Sequence, residues 1–481
     1  MSKSTPLVCP VQRRARVQPH TPAIITPDAQ WTYAQLGRAI AATAERLREA
    51  DIRRGARVAL HLPRTADAVV LLWAVWRVRA VAIPLNRRWP AGAAVAFATE
   101  VGATDCVTDD AAVAQAGRAA FRIHALQALV EPASSAPSDP GSLVPMALDQ
   151  PVTLVFTSGS TGTPKAALHT WRNHVASALG SNANIPVEPG NRWLLSLPLY
   201  HVGGIAVLVR CALGGGAVVV PSSASSLADC LATAAVTHAS LVSTQLRRLL
   251  HADATHPARM AALLVGGGAV PQGLLDAAHD RGWPLHTTYG CTEMASQVTT
   301  TPPDASLETL TTAGRVLPHR RLRIADDGEI LVAGKTLFRG YVRGDTVHDP
   351  RDANGWFHTG DVGTLDAHGR LRIEGRKDHM FISGGENVQP EIIEAELEAL
   401  PGVERAIVVP IEDAEYGHRP VAFLQMHDAS LGAERLGQQL ATTLPGFMVP
   451  DAFLPLPDDS STGLKTDRAA LRDRARARLR P

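Results

Sequence analysis

Leu36, Ile40, Ala44 and Leu47 recur at three- and four-residue intervals. That spacing predicts an amphipathic helix over 36–50. Gly55 interrupts it, and Arg57–Leu62 then reads as a strand. A second helical stretch, 66–79, leads to the strand-like Val81–Leu85. Helices and strands alternating over short turns predict an α/β sheet. Residues 131–150, rich in Pro, Ser and Ala, read as a surface loop. Past 151 the alternation resumes, with Val152–Phe156, Val218–Val220, Ser240–Val242 and Leu263–Val265 as short buried strands.

From about residue 311 the segments shorten and turn pairs crowd in: Asp327-Gly328, Arg343-Gly344 and His368-Gly369. These predict a small β-rich subdomain, closed by a hairpin that starts at Asp366. Beyond it come an amphipathic helix (Pro390–Leu400), two strands (Ala406–Pro410 and Val421–Met426) and a helix over 434–444. This α+β tail is long enough to be its own domain. The expected boundary lies at Arg376–Asp378, giving domains 1–376 and 377–481.

Length and charge add limits. A chain of 481 residues affords more than one core. A formal net charge of +1 does not suggest a nucleic-acid surface. The basic tail Arg468–Arg480 reads as a solvated helix, or as a basic edge attracting a cofactor's phosphates. Five scattered cysteines without a C-x-x-C pair suggest neither a disulfide framework nor a zinc site. The apolar run 68–85 is broken by Arg77 and Arg79, and no signal-type segment opens the chain. A cytoplasmic enzyme without stable membrane insertion is the expectation, with a homo-oligomer as one option.

The candidate chemistry centres on TSGSTGTPKA, residues 157–166. Its glycines let backbone N–H groups approach an anion, its hydroxyls add donors, and Lys165 adds a point charge: a polyphosphate cradle. A Walker loop is excluded, because Pro164 precedes Lys165 and Ala166 follows it. The segment resembles the phosphate loop of the adenylate-forming superfamily, which includes acyl-CoA synthetases. Further segments resemble that family's motifs in order: SLPLYHVGG (196–204), LLVGGGAVP (263–271), YGCTEMA (289–295), HTGDVG (358–363), GRKDHMFISGGENVQP (375–390) and STGLKTDR (461–468).

The resemblance implies an α/β fold: a large N-terminal domain of two αβαβα-type subdomains plus a small β-barrel-like subdomain, and a mobile α+β C-terminal domain. It implies ATP, Mg²⁺ and CoA as cofactor and co-substrates, and a small carboxylic acid as substrate. Thr157, Ser158, Gly159, Ser160, Thr161, Gly162 and Lys165 would hold phosphates. Thr292 would contact the α-phosphate and Glu293 would bind Mg²⁺. Gly267, Gly268 and Ala269 would line the adenine site, with Tyr289 flat against the base. Asp361, supported by Arg376, would accept the ribose hydroxyls. Lys465 would reach between carboxylate and α-phosphate, although Leu464 separates it from Gly463 where the family reads Gly-Lys. Asp378 would be the hinge, and Gly384 and Gly385 would line a tunnel for the pantetheine arm.

For the acid, His201 is expected at the gate of the acyl pocket. Arg210, alone in an apolar run, is either a helix-edge snorkel or a ligand-binding cation. Together PLYHVGGIAVLVR, THASLVSTQLRRLL, LLVGGGAVP and YGCTEMASQV are similar to o-succinylbenzoate–CoA ligases of menaquinone synthesis. Such an acid carries a second carboxylate, which needs a cationic or polar partner once buried. Gly203 stands where that family usually has Ser. Another aryl- or acyl-CoA ligase, and a non-catalytic nucleotide-binding regulatory protein, are the alternative readings. Arg64, Arg320 and Arg321 read as surface charges.

Overall fold

The computed structural model describes residues 7–130, 143–157, 164–222, 224–233, 235–427, 432–457 and 467–479. The chain forms two compact units. The first comprises 1–268, 278–322 and 332–357; the second comprises 269–277, 323–331 and 358–481.

The first unit holds two large sheets among its described residues. One has the strand order Thr346–His348, Gly340–Arg343, Lys165–Thr170, Pro151–Thr157, Val81–Pro84, Arg57–His61, Asp105–Thr108, Arg122–His124. Its interior pairs are parallel, and antiparallel strands sit at one side. The other runs Arg315–Val316, Ser296–Thr300, Leu285–Cys291, Ala262–Val265, His238–Leu241, Arg192–Leu194, Ala217–Val219, Pro22–Ile25, Gln30–Thr32. A mixed α/β fold is what the alternating pattern predicts.

The helix expected over 36–50 runs from Tyr33 to Glu49. It starts earlier because Thr32 and Gln35 form a reciprocal capping box. Helix Ala66–Arg77 is apolar nearly all round and is buried accordingly. Its Trp73 and Trp76 meet Trp171, and the Trp76 indole donates to the Val152 carbonyl at 2.9 Å. Truncating such a fully buried indole costs roughly 3–5 kcal/mol.

In the second unit, strands Val403–Asp413 and Gly417–Met426 alternate their side chains between two cores. Ala406, Val408, Ala422 and Leu424 pack with Ile393 and Leu397 on one face, while Ile407, Val409, Val421 and Phe423 pack with Leu471 and Ala475 on the other. The tail is therefore not a solvated helix. Helix Arg468–Leu479 covers a sheet face, and Arg468 is bound to Glu394 and Glu391 at 2.5 and 3.3 Å.

Candidate active site

In the second large sheet, strands Arg192–Leu194, His238–Leu241, Ala262–Val265 and Leu285–Cys291 run parallel. Their carboxyl ends therefore share one edge, where ligands of open α/β sheets bind. Three of the expected motifs leave from that edge. Leu194 leads to the gate segment, Val265 to Gly266–Gly268, and Cys291 to Thr292 and Glu293. Gly267 has φ +82°. A Cβ at Gly290 would meet the Ser296 carbonyl oxygen at 2.1 Å, so only glycine allows that approach. Tyr289 is buried in the strand opposite Thr299. Ala269 begins the 269–277 segment of the second unit.

Thr157 and Lys165 pair directly across two antiparallel strands, at either side of the phosphate-loop segment. The Lys165 ammonium lies 5.5 Å from the Tyr341 ring centroid. The Tyr341 hydroxyl donates to Glu293 Oε1 at 2.7 Å. Lys165 and Glu293, 128 positions apart by subtraction, thus meet through one tyrosine. The Glu293 backbone is anchored as well: its carbonyl accepts from Phe338 N at 2.7 Å. The neighbouring Thr292 carbonyl accepts from His169 Nε2 at 2.7 Å. Burial drives His169 down to about 4, so the ring is neutral at pH 7 and Nε2–H is the donor.

A single carboxylate beside a phosphate-loop lysine suits Mg²⁺, which keeps waters and takes substrate phosphate oxygens. Among the described residues no group of three His, Cys, Asp or Glu side chains could form an all-protein cage. A lone carboxylate, Glu293, fits a magnesium ion held mainly by nucleotide phosphate oxygens and water.

His201 caps the helix Val202–Gly214, with its ring 4.6 Å from that of Tyr200. Arg210 lies in the same helix and is 1 % exposed, which rules out a snorkelling side chain. Its guanidinium sits 5.1 Å from the Trp193 ring and donates from Nη2 to Gln297 Oε1 at 2.7 Å and Ser296 Oγ at 3.3 Å. Its Nε is buried without a hydrogen-bond acceptor among the described residues. Arg320 and Arg64 are not surface charges either. Arg320 is buried among backbone carbonyls, and Arg64 donates to the Ser196 carbonyl of the gate segment at 2.5 Å. Arg321 lies 5.0 Å from the Trp356 ring.

In the second unit, Asp361 and Arg376 face each other across the hairpin of Phe357–Leu365 and Leu371–Arg376, at 3.0 Å. Arg376 also donates to Asp378, from Nε at 2.9 Å and Nη2 at 3.2 Å. Burial works against its charge, but the two carboxylates outweigh it and hold the guanidinium well above its ordinary value. The expected ribose partner and hinge residue thus share one arginine. Gly384 and Gly385 form the turn between Phe381–Ser383 and Glu386–Val388 with φ +61° and +87°. A Cβ at Gly385 would meet nothing within 4 Å, leaving that backbone open to approach.

Ser158, Gly159, Ser160, Thr161, Gly162 and Lys465 lie outside the described residues. Sequence reasoning missed Tyr341, Gln297 and His169. Each is an ordinary residue in an ordinary strand, and no local spacing ties it to the motif it contacts.

A family model described as AMP-binding enzyme matches residues 11–342, and one for the AMP-binding enzyme C-terminal domain matches 392–464. The chain is 32% identical to a 2-succinylbenzoate–CoA ligase of Bacillus velezensis, over 95% of this chain and 96% of that protein. It is 40% identical to one of Salmonella typhimurium, over 66% of this chain and 68% of that protein. Among solved structures, o-succinylbenzoate CoA synthetase from Bacillus subtilis in complex with its acyl-adenylate intermediate is similar, with a TM-score of 0.89, 30% identity and coverage of 98% and 99%. The complex of that enzyme with ATP and magnesium ion gives 0.86, 30%, 94% and 96%.

Proposed function

The chain belongs to the AMP-binding enzyme family, and on that premise we propose that it couples o-succinylbenzoate to CoA through an acyl-adenylate. It is an AMP-forming acid–thiol ligase that uses ATP, magnesium and CoA. A carboxylate oxygen attacks the α-phosphorus and pyrophosphate leaves. The CoA thiol sulfur then attacks the acyl carbon, the thiol proton passes to solvent, and AMP leaves as the better leaving group. Catalysis of this kind rests on positioning and electrostatics.

Each residue has a role in this reading. Thr157, Lys165 and the segment 158–162 hold the β- and γ-phosphates, and Thr292 contacts the α-phosphate. Glu293, fixed by Tyr341, holds the magnesium, which supplies charge neutralisation when bound. Gly267, Gly268, Ala269 and Tyr289 take the adenine. Asp361 and Arg376 take the ribose. Lys465 neutralises charge as carboxylate and α-phosphate approach. The domain boundary falls at 376/377, with Asp378 as hinge, and rotation there brings the Gly384-Gly385 loop to the thiol path in place of Lys465. His201 gates the acyl pocket.

The observation that carries the identity of the acid is Arg210, a buried guanidinium whose partners are neutral oxygens. A second carboxylate on the acid would satisfy it, directly or through water. No described helix is long and apolar enough to cross a membrane, and a cytoplasmic location fits the reading. Pyrophosphate release screened over aromatic and aliphatic acids, with and without CoA, tests it. The expected result is acid-dependent release that favours o-succinylbenzoate, with the thioester formed only when CoA is present. Equal rates with monocarboxylic acids would overturn the identity of the acid.

A further inference from the structure

Arg210 is one of two buried guanidinium groups in this part of the first unit. Arg320, 6 % exposed, donates from Nε to the Gln297 carbonyl at 2.6 Å, from Nη1 to Pro318 O at 2.8 Å, and from Nη2 to Ser177 O and Oγ at 3.0 and 3.2 Å. Both arginines donate to neutral oxygens and to no carboxylate among the described residues. Burial, and then the charge of Arg210, both act against the charge on Arg320. Two like charges with only neutral partners are costly to keep in a low-dielectric interior. A neutral side chain of similar length would fill the space without that cost.

The space is built for Arg320. Gly180 lies inside helix Trp171–Asn182, where glycine costs about 1 kcal/mol relative to alanine. A Cβ there would stand 2.1 Å from Arg320 Nη1. Ser177, one helical turn earlier, donates from Oγ to the Ala295 carbonyl at 2.7 Å. Arg320 and Ser177 therefore grip the backbone on both sides of Ser296. That stretch is strained: Ala295 has φ +52° and Ser296 φ +113°, values that side-chain-bearing residues rarely adopt. Such strain persists only where surrounding contacts hold it. The same turn carries Ser296 and Gln297, the side chains that orient Arg210, and only Met294 separates it from Glu293.

We propose that Arg320 is a positioning residue for acid recognition. It clamps the Ala295–Gln297 turn, so that Gln297 aims the Arg210 guanidinium and the enzyme prefers an acid bearing a second negative charge. This inference rests on the reading of the acid given above. The clamp needs a fork of donors, which an ammonium cannot provide.

The test uses the full-length enzyme and acid-dependent pyrophosphate release. Two acids are compared: o-succinylbenzoate and the analogue lacking its ring carboxylate. Arg320→Met is expected to raise KM for o-succinylbenzoate about tenfold, to leave KM for ATP within about twofold, and to lower the ratio of kcat/KM between the two acids. Added to Arg210→Met, it should change that ratio less than about twofold, because it acts through Arg210. Arg320→Lys, which also serves if the Met variant does not fold, should lose the preference as well. Retention of the wild-type ratio in either variant, or full multiplication of its effect with that of Arg210→Met, would overturn the inference. A wild-type enzyme with no preference between the two acids would instead sink the reading of the acid.

Discussion

Arg376, Arg419 and Arg468 in the second unit each face carboxylates, at distances of 2.5 to 3.3 Å for Asp361, Asp378, Asp451, Glu391 and Glu394. Arg210 and Arg320, deep in the first unit, donate to hydroxyl, amide and carbonyl oxygens and to no carboxylate among the described residues. The neutralised arginines knit strands, hairpins and helices together. The un-neutralised ones leave net positive charge in the interior, which favours an anionic ligand. The contrast separates arginines matched by carboxylates from buried arginines that meet none among the described residues.

The sharpest break of this contrast would come from the second unit's Lys465. Lys465→Ala is expected to lower acid-dependent pyrophosphate release by at least about a hundredfold, yet to spare thiolysis of a supplied acyl-adenylate. Equal loss in both half-reactions would remove its assigned role. Next in size, Glu293→Gln should depress the same half-reaction by about a hundredfold, with magnesium titration shifted to higher concentration. Unaltered magnesium dependence would move the metal site elsewhere.

Arg210→Met should raise KM for o-succinylbenzoate by about ten- to a hundredfold, the size of a charge-assisted hydrogen bond, with KM for ATP little changed. An unaltered KM would return Arg210 to the structural class. Arg468→Ala, by contrast, should leave both KM values alone. It should destabilise the second unit by about 1–3 kcal/mol, because Glu391 and Glu394 lose their partner while solvent screens part of the cost. Thermal melting of the variant measures it.

The two units also differ in their response to pH. Burial lowers the pKa of His169 and His238 to about 4, and also lowers those of His174 and His286. The unfolded chain binds protons on these rings below about pH 6.5, while the folded chain resists them. Stability of the first unit is therefore full above that pH and falls as pH drops toward 4. In the second unit burial alone would raise the Glu391 pKa, but His379 and Arg468 outweigh it and the net shift is downward. That contribution is full above the ordinary glutamate value and is lost only as pH falls below it. Acid titration followed by segment-resolved hydrogen exchange should open the first unit at higher pH than the second; the reverse order would contradict these assignments.

The motifs were legible in the sequence because their chemistry is local. Glycines, hydroxyls and a lysine within ten residues predict a phosphate loop, whose residues 158–163 lie outside the described ones, and apolar spacing predicts the alternating elements on either side. The helix start at Tyr33 was missed by three residues, since the capping box at Thr32 outranks the apolar period. The tail arginines misled because charge was read without the buried Leu471 and Ala475 between them.

What the chain alone determined was the order of its elements, the loops that bear glycine and lysine, and the chemistry those loops can perform. Residue spacing encodes such features within a few turns of backbone. Only the tertiary structure decided that Tyr341 links Lys165 to Glu293, and that Arg210 and Arg320 are buried without carboxylates. Those facts depend on segments tens to more than a hundred residues apart being folded together, and burial is a property of the packed neighbours rather than of the residue.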